Sequence, residues 1–478
     1  MLGERKMEQN LYTTVDPVTI RVFHTNDIHS HFETWPTLVA WLEQRKMEME
    51  KQGEVSLTFD IGDFIDRFHP ISEATLGKAN IKLLNEAKYD AVTIGNNEGI
   101  TLSFEQLSEL YDDANFQVLV GNLFYKNGER PSFCQPYQIY EHRGVKIGVI
   151  GLTVSYPQYY DVLGWRIEDP VDHLAQLLPI VRQQTDVVIL LSHLGVKDDQ
   201  RIAERFDGID VILGAHTHHL FPDGEYVGNT LLCGTGKHGH YIGELSITVE
   251  PKTKRILQLH ERVIDLQAIT ELKNSIVSQH LDQLMTDSLM ILNEPVTYLQ
   301  HPIEVDWYQP SPLPRLLAAA LRKWTNSEVS FLNAGLLLEG LPSGVITKGH
   351  IHKICPHPIN PCAVYLTGAE LLTVMNRAEE EEMIHKQIKG FGFRGKVMGM
   401  MIYDGLTYLK LDSHGSILPE NVWINGAPLE LDRRYRIGTI DMFTFGHLYP
   451  TIHQAKEKEF YLPKFLRNLL QWALTTEI

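Results

Sequence analysis

The feature that most constrains this chain is a repeated arrangement: a short, β-rich apolar run that stops at a cluster of polar side chains able to bind metals. VTIRVFH (18–24) runs into TNDIHSH, SLTFDIG (56–62) into DFIDR, and DAVTIG (90–95) into NNEG. Further on, VVILL (187–191) leads into SHLG and VILGA (211–215) into HTHH. Runs so short and so rich in β-branched residues read as buried strands, and helical patterns such as IKLLNEAK and DHLAQLLPIVRQQ would cover them. The alternation predicts an α/β domain, and in open α/β sheets ligand chemistry gathers at the carboxyl ends of the strands. Every one of these polar clusters falls there.

At 478 residues the chain exceeds one ordinary domain. YIGELSITVEPKTKRILQLHERVIDL reads as a β-meander that closes the first domain, giving it residues 18–266. ELKNSIVSQHLDQLMTDSLMIL carries a helical pattern, so 267–292 is expected to be a linker helix. Residues 293–478 form a second α/β unit that opens with the helix PRLLAAALRKW and the strand EVSFLNAG.

Composition narrows the partners. A net charge of −17 repels polyanions, which argues against a nucleic acid polymer as ligand. A small phosphorylated substrate stays open, because bound metal ions reverse the sign of the field locally. The N-terminal MLGERKMEQNLYTTVDP has no apolar core, and no run reaches the ~18 apolar residues of a membrane span. With Cys134, Cys233, Cys355 and Cys362 scattered without metal or disulfide spacing, the expectation is a cytoplasmic protein with reduced thiols.

The strand-end residues able to hold metals are Asp27, His29, Asp63, Asn96, His193, His216 and His218. Mixed carboxylate, amide and imidazole donors suit Mn²⁺, Fe²⁺ or Zn²⁺. Two such ions about 3.5–4 Å apart need a shared ligand, and a carboxylate such as Asp63 can turn one oxygen toward each. GTGKHG (234–239) fits a dinucleotide-binding pattern, but a strand follows it where the pyrophosphate would need a helix N-terminus.

DIH, GDFID, the Asn of GNNE, SHLG and GAHTHH match, in order, the metallophosphoesterase signature. Over roughly residues 18 to 465 the chain resembles the 5′-nucleotidase/UDP-sugar hydrolase family. The resemblance implies a four-layer α-β-β-α metallophosphoesterase domain followed by a smaller α/β 5′-nucleotidase-type C-terminal domain that binds substrate. It assigns Asp27, His29, Asp63 and His218 to one divalent ion, and Asp63, Asn96, His193 and His216 to the other. The implied activity is hydrolysis of a nucleotide or nucleotide-like phosphate through a metal-bridging hydroxide, in a monomer or dimer. Alternatives are a phosphodiesterase acting on cyclic nucleotides or nucleotide sugars, and a catalytically weak nucleotide-binding protein.

The chain departs from the family's pattern in GNNEGI (95–100). Asn97 stands where the family has a His, and Ile100 where an Asp orients that His. An amide can donate a hydrogen bond to a phosphoryl oxygen in the transition state but cannot deliver a proton near pH 7. In the C-terminal half, NAG (333–335), GVITKGHI and NPCAVYLTGAEL resemble family segments, while Leu337 and Leu338 replace Ile-Arg, and Asp306 stands where another arginine is expected. The residues expected to bind substrate are Asn333, Gly335, His357, Asn360 and Phe443, with Met442 and Phe445 as other stacking candidates. Arg394 and Lys396 of FGFRGK are the possible phosphate-binding substitutes.

Overall fold

The computed structural model describes residues 16–269, 271–410, 416–446 and 448–476; most of the charged N-terminal segment lies outside them. Two six-stranded sheets face each other in the first domain. One runs, in spatial order, Ile256–Asp265, Tyr241–Val249, Val18–Thr25, Val55–Asp60, Ala91–Val92, Gln117–Val118. The other runs Glu225–Val227, Thr230–Cys233, Val211–Gly214, Val187–His193, Val145–Thr153, Tyr137–His142. The central strands of each sheet pair in parallel, so their carboxyl ends share one edge.

These strands read as continuous apolar runs because both of their faces are buried. Ile20, Val22, Leu57 and Phe59 of the first sheet meet Ile147, Val149, Ile189, Leu191, Val211 and Leu213 of the second. On the outer faces, Phe23 packs under Trp35, Leu38 and Trp41, and Val188, Leu190 and Ile212 under Leu174, Leu178 and Val181. The result is the α-β-β-α layering the resemblance implies. The expected meander is present as the antiparallel pair Tyr241–Val249 and Ile256–Asp265.

The linker helix starts later than its periodicity suggests. Residues Leu266–Ala268 form a 3₁₀ turn, and the α-helix runs Ser275–Leu292. It begins there because the Asn274 side chain accepts from the backbone N–H groups of Ile276 and Val277, satisfying donors that a helix start leaves open. Leu281, Leu284 and Met285 lay this helix on the core of the first domain. Among the described residues no helix is long and apolar enough to cross a membrane.

The second domain is built on a five-stranded mixed sheet in the order Met401–Asp404, Val329–Asn333, Arg434–Ile440, Pro361–Thr367, Lys458–Phe460. Helix Pro312–Trp324 buries Leu313, Leu317 and Leu321 on the core, and helix Leu466–Thr476 buries Leu466, Leu469 and Leu470. Tyr159 of the first domain belongs to this second core, stacking on Phe460 at 4.7 Å.

A buried ion-pair network ties the domains together. Arg467, 3% exposed, reaches Glu73 with Nε at 2.9 Å and Nη2 at 2.7 Å. Arg67 pairs with the same carboxylate at 2.8 Å, and its backbone carbonyl accepts from His352 Nε2 at 3.0 Å. Burial alone would raise the Glu73 carboxyl, but the two guanidinium groups outweigh it and hold the group well below the usual range. Its contribution to stability is therefore present above about pH 4.3, where an unfolded glutamate titrates, and is lost on further acidification. Glu73→Ala leaves two buried cations without their partner and is expected to destabilise the protein by roughly 3–5 kcal/mol. Chemical denaturation at neutral pH measures this loss, and the difference from the parent should shrink toward pH 3.

Candidate metal centre

The strand ends converge on one buried point through an unusual backbone. Asp27, His29, Asp63, His216 and His218 have φ of 51°, 50°, 51°, 70° and 60°. Non-glycine residues reach this left-handed region at a cost of about 1–3 kcal/mol each and persist only where the surroundings over-determine them. Here the loops are laced together. Asp27 N–H donates to Gly62 O at 3.0 Å, and His29 N–H to Asp63 O at 2.8 Å. The Asn26 side chain ties in Thr235 and Gly236 of the GTGKHG loop, and His238 N–H donates to Asp27 O at 2.8 Å. A strand and not a helix follows that loop, so it is a wall of this site and not a dinucleotide cradle.

Glu98 had no place among the ligand candidates, yet it organises two of the loops. Its carboxylate accepts from the backbone N–H groups of Gly95 at 2.7 Å, Asp63 at 3.0 Å and Ile65 at 2.8 Å. Burial, helped by the nearby Asp63 charge, pushes its carboxyl up to about 7. The signal was there: Glu98 is the third residue of helix Asn96–Thr101, where an acidic side chain reaches back to the helix start. Gly95 is required for a different reason. A Cβ there would lie 2.0 Å from Asp63 Oδ1.

All seven candidate ligands meet around Asp63 and Asp27. His29 Nε2 lies 3.7 Å from both Asp27 Oδ1 and Asp63 Oδ2, and 3.2 Å from His218 Nε2. His218 Nε2 is 3.5 Å from Asp27 Oδ1, and His193 Nε2 is 3.6 Å from Asp63 Oδ2. His216 Nδ1 sits 2.9 Å from Asn96 Oδ1. Such spacings, too long for hydrogen bonds in several pairs, leave room for ions between the donors.

The electrostatics point the same way. His193 is fully buried; its Nδ1–H donates to Ile61 O at 2.6 Å, and its Nε2 has no hydrogen-bond partner among the described residues. A buried polar atom without a partner calls for an ion or water. Burial disfavours a proton on this ring, yet Asp63 and Asp27 override that and push His193 up to about 10. The two carboxylates thus favour a cation at this nitrogen. His216 goes the other way, down to about 4, through burial and the neighbouring His193 charge. These nitrogen and oxygen donors fit a pair of divalent transition-metal ions.

Asn97 does not face an open cleft. It is 6% exposed, its N–H donates to Asp63 Oδ1 at 2.7 Å, and its amide lies 2.8 Å from His29 Nδ1. Asp66 Oδ2 lies 3.3 Å from the same nitrogen. A cation held at Nε2 would leave the proton on Nδ1, to be shared between Asp66 Oδ2 and the Asn97 amide, whose nitrogen and oxygen exchange places by a half-turn. Ile100 fills the position of the family's aspartate and packs, with Tyr156, in the seam between the two cores. The Tyr156 hydroxyl, which no sequence motif singles out, lies 3.3 Å from His216 Nε2.

The residues expected to bind substrate are placed differently from that expectation. Asn333, Gly335, His357, Asn360 and Phe443 are all buried in the second domain. Asn333 donates to Met398 O at 2.7 Å, and a Cβ at Gly335 would lie 1.9 Å from Val397 O. Asn360 Nδ2 donates to Lys464 O at 2.8 Å. His357 donates through Nε2 to Leu336 O and accepts at Nδ1 from Arg394 N–H, both at 2.8 Å. Phe443 has its ring occupied by Tyr449 and Phe331. Phe445, half-buried, instead stacks on the 38% exposed Phe391 at 5.7 Å. Asp306 spends its carboxylate on the N–H groups of Tyr308 and Gln309. Arg394 crosses to the first domain and pairs with Asp66.

The calcineurin-like phosphoesterase family matches residues 20–220, and the 5′-nucleotidase C-terminal domain family matches 294–449. The uncharacterized metallophosphoesterase YunD of Bacillus subtilis is 44% identical over 460 residues, covering 95% of this chain and 99% of its own. The chain belongs to the 5′-nucleotidase family of metallophosphoesterases. The fold agrees over its whole length. The provisionally assigned 5′-nucleotidase of Staphylococcus aureus, crystallised with α-ketoglutarate, superposes with a TM-score of 0.69 at 17% identity, covering 96% of this chain and 97% of that one. NAD nucleotidase of Haemophilus influenzae gives 0.67 at 16% identity, with 97% of each chain covered. This metallophosphoesterase is thus a metal-dependent hydrolase of phosphoric esters. Its family works through a dinuclear divalent centre, for which the cluster around Asp63 supplies the candidate ligands. Asp63→Asn keeps the side chain's shape but removes its charge. Elemental analysis of the purified variant should find about half the bound metal or less, with a melting temperature near the parent's.

Proposed function

We propose that this metallophosphoesterase hydrolyses phosphate esters or anhydrides of a nucleotide-like metabolite whose leaving group departs without needing a proton. The observation that carries the reading is the pairing of a complete candidate ligand set with a GNNEGI loop that has no proton donor at positions 97 and 100, its one acid, Glu98, being engaged by three backbone N–H groups. Two divalent ions held by Asp27, His29, Asp63, Asn96, His193, His216 and His218 would supply charge neutralisation and an activated water. The chain's own residues do the rest. Glu98 fixes the Asp63 loop, and Asn97 together with Asp66 orients His29. Neither Asn97 nor Ile100 can protonate a departing alkoxide, whereas a phosphoanhydride or aryl oxygen leaves as a stable anion. The match of residues 294–449 to the 5′-nucleotidase C-terminal domain supports a nucleotide-like substrate.

Protein loaded with Mn²⁺ and assayed on nucleoside mono- and diphosphates, a nucleotide sugar, a cyclic nucleotide and p-nitrophenyl phosphate tests the reading. Anhydrides and the aryl ester should turn over faster than nucleoside monophosphates. Metal-loaded protein that turns over none of them would sink the proposal in favour of a nucleotide-binding protein. Turnover confined to the cyclic nucleotide would favour a phosphodiesterase.

The double substitution Asn97→His with Ile100→Asp should raise the rate on nucleoside monophosphates by about 10²–10⁴-fold, the usual contribution of a positioned acid–base group. Rates on p-nitrophenyl phosphate should change little. An unchanged monophosphate rate would mean that another group already donates the proton.

A further inference from the structure

The second domain reaches into the candidate metal centre through one side chain. Arg394 extends from the loop that follows the Gly390–Phe393 turn across the domain boundary, and its Nη2 donates to Asp66 Oδ2. Asp66 is 1% exposed. Its Oδ1 accepts from Phe68 N–H at 3.1 Å, its backbone N–H donates to Ser30 Oγ at 2.8 Å, and its Oδ2 lies 3.3 Å from His29 Nδ1. The far nitrogen of that ring, Nε2, faces Asp27, Asp63 and His218.

The root of Arg394 is equally well fixed. Its backbone N–H donates to His357 Nδ1 at 2.8 Å, and the His357 ring stacks on Phe393 at 5.2 Å with planes 4° apart. His357 is in turn anchored through Nε2–H to Leu336 O. A continuous line of hydrogen bonds thus joins the core of the second domain to Asp66, whose Oδ2 stands 3.3 Å from the outer nitrogen of a candidate ligand in the first. The line has the form known to tune metal sites: an imidazole whose outer N–H is held by a carboxylate, with the carboxylate held by a further partner.

We propose that Arg394 is a positioning residue that locks Asp66 onto His29, so that the second domain completes the metal-binding geometry of the first. The proposal rests on the dimetal reading given above. Without Arg394, the Asp66 carboxylate loses its cationic partner and is free to rotate away from His29. The imidazole then samples orientations that do not serve the ion. Arg394 touches the ligand only through Asp66, so its effect belongs to metal affinity before it belongs to turnover.

Full-length protein stripped of metal and titrated with Zn²⁺ in competition with a chromogenic chelator measures this directly. Arg394→Gln should weaken the weaker of the two binding steps by about 10- to 100-fold, the usual cost of losing a partner behind a ligand. Arg394→Lys, which keeps the charge without the planar fork, should fall between it and the parent. Asp66→Asn should weaken binding comparably, and the double variant should be no worse than either single one, since both break the same link. Arg433→Gln, which removes an exposed ion pair to Glu328 elsewhere in the second domain, is the control and should bind Zn²⁺ like the parent. Co²⁺-loaded Arg394→Gln should also show an altered visible absorption spectrum.

Parent affinity in a folded Arg394→Gln would overturn the proposal, as would additive losses in the double variant or an equal loss in Arg433→Gln. A raised KM with unchanged metal affinity would overturn it too, and would assign Arg394 to direct contact with the substrate's phosphate. If the parent protein itself bound no divalent ion, the dimetal reading would fail first, which separates the two failures.

Discussion

The structure is organised around the need to hold two carboxylates, Asp27 and Asp63, side by side out of water. Both are essentially buried, and neither is paired with a lysine or an arginine among the described residues. Like charges so placed are unfavourable unless cations sit between them. Four imidazoles and one amide surround the pair, donors that metal ions use and that protons can occupy in their absence. The left-handed backbone at five of the seven candidate ligands, the close approach of Gly95 to Asp63, and the three N–H groups gathered by Glu98 all serve that placement. A sandwich whose parallel strands end on one edge is the scaffold that brings five separate loops to the same point.

The same economy extends to the domain boundary. Residues 66 and 67, next to each other in the chain, each bind a cationic or hydrogen-bonding group of the second domain: Asp66 takes Arg394, and Arg67 shares Glu73 with Arg467 and receives His352. The loop that carries Asp63 is therefore also the loop on which the second domain is seated. Orientation of the domains and geometry of the candidate metal centre are not independent in this protein, because a three-residue spacing separates Asp63 from the anchor at Asp66.

Much of this was legible beforehand, for a physical reason. Strands buried on both faces write themselves as uninterrupted β-branched runs, so the chain announces where each one stops, and the candidate ligands are the residues at the stops. The four layers and the closing meander follow from the same pattern. The linker helix was legible in existence but not in its start, because Asn274 caps it from within a stretch whose apolar spacing already looked helical. The second domain was read less well. His357, Asn360 and Phe443 were expected on a binding surface from their positions in recognisable segments, and they lie in the core with their polar atoms or ring faces engaged. Residue type and order do not report which face of a loop is turned inward.

The sequence by itself determined the family and the layering and nominated a set of candidate metal ligands, since these depend on local apolar patterning and on short motifs. It also determined what the GNNEGI loop lacks: a residue able to give up a proton at positions 97 and 100. Only the tertiary structure decided what those residues do instead, with Asn97 turned onto His29 and Ile100 packed beside Tyr156. It alone brought Arg394 to Asp66 across 328 positions of chain. Contacts so distant in sequence leave no periodic trace, because they arise from how two finished domains meet and not from how either one is built.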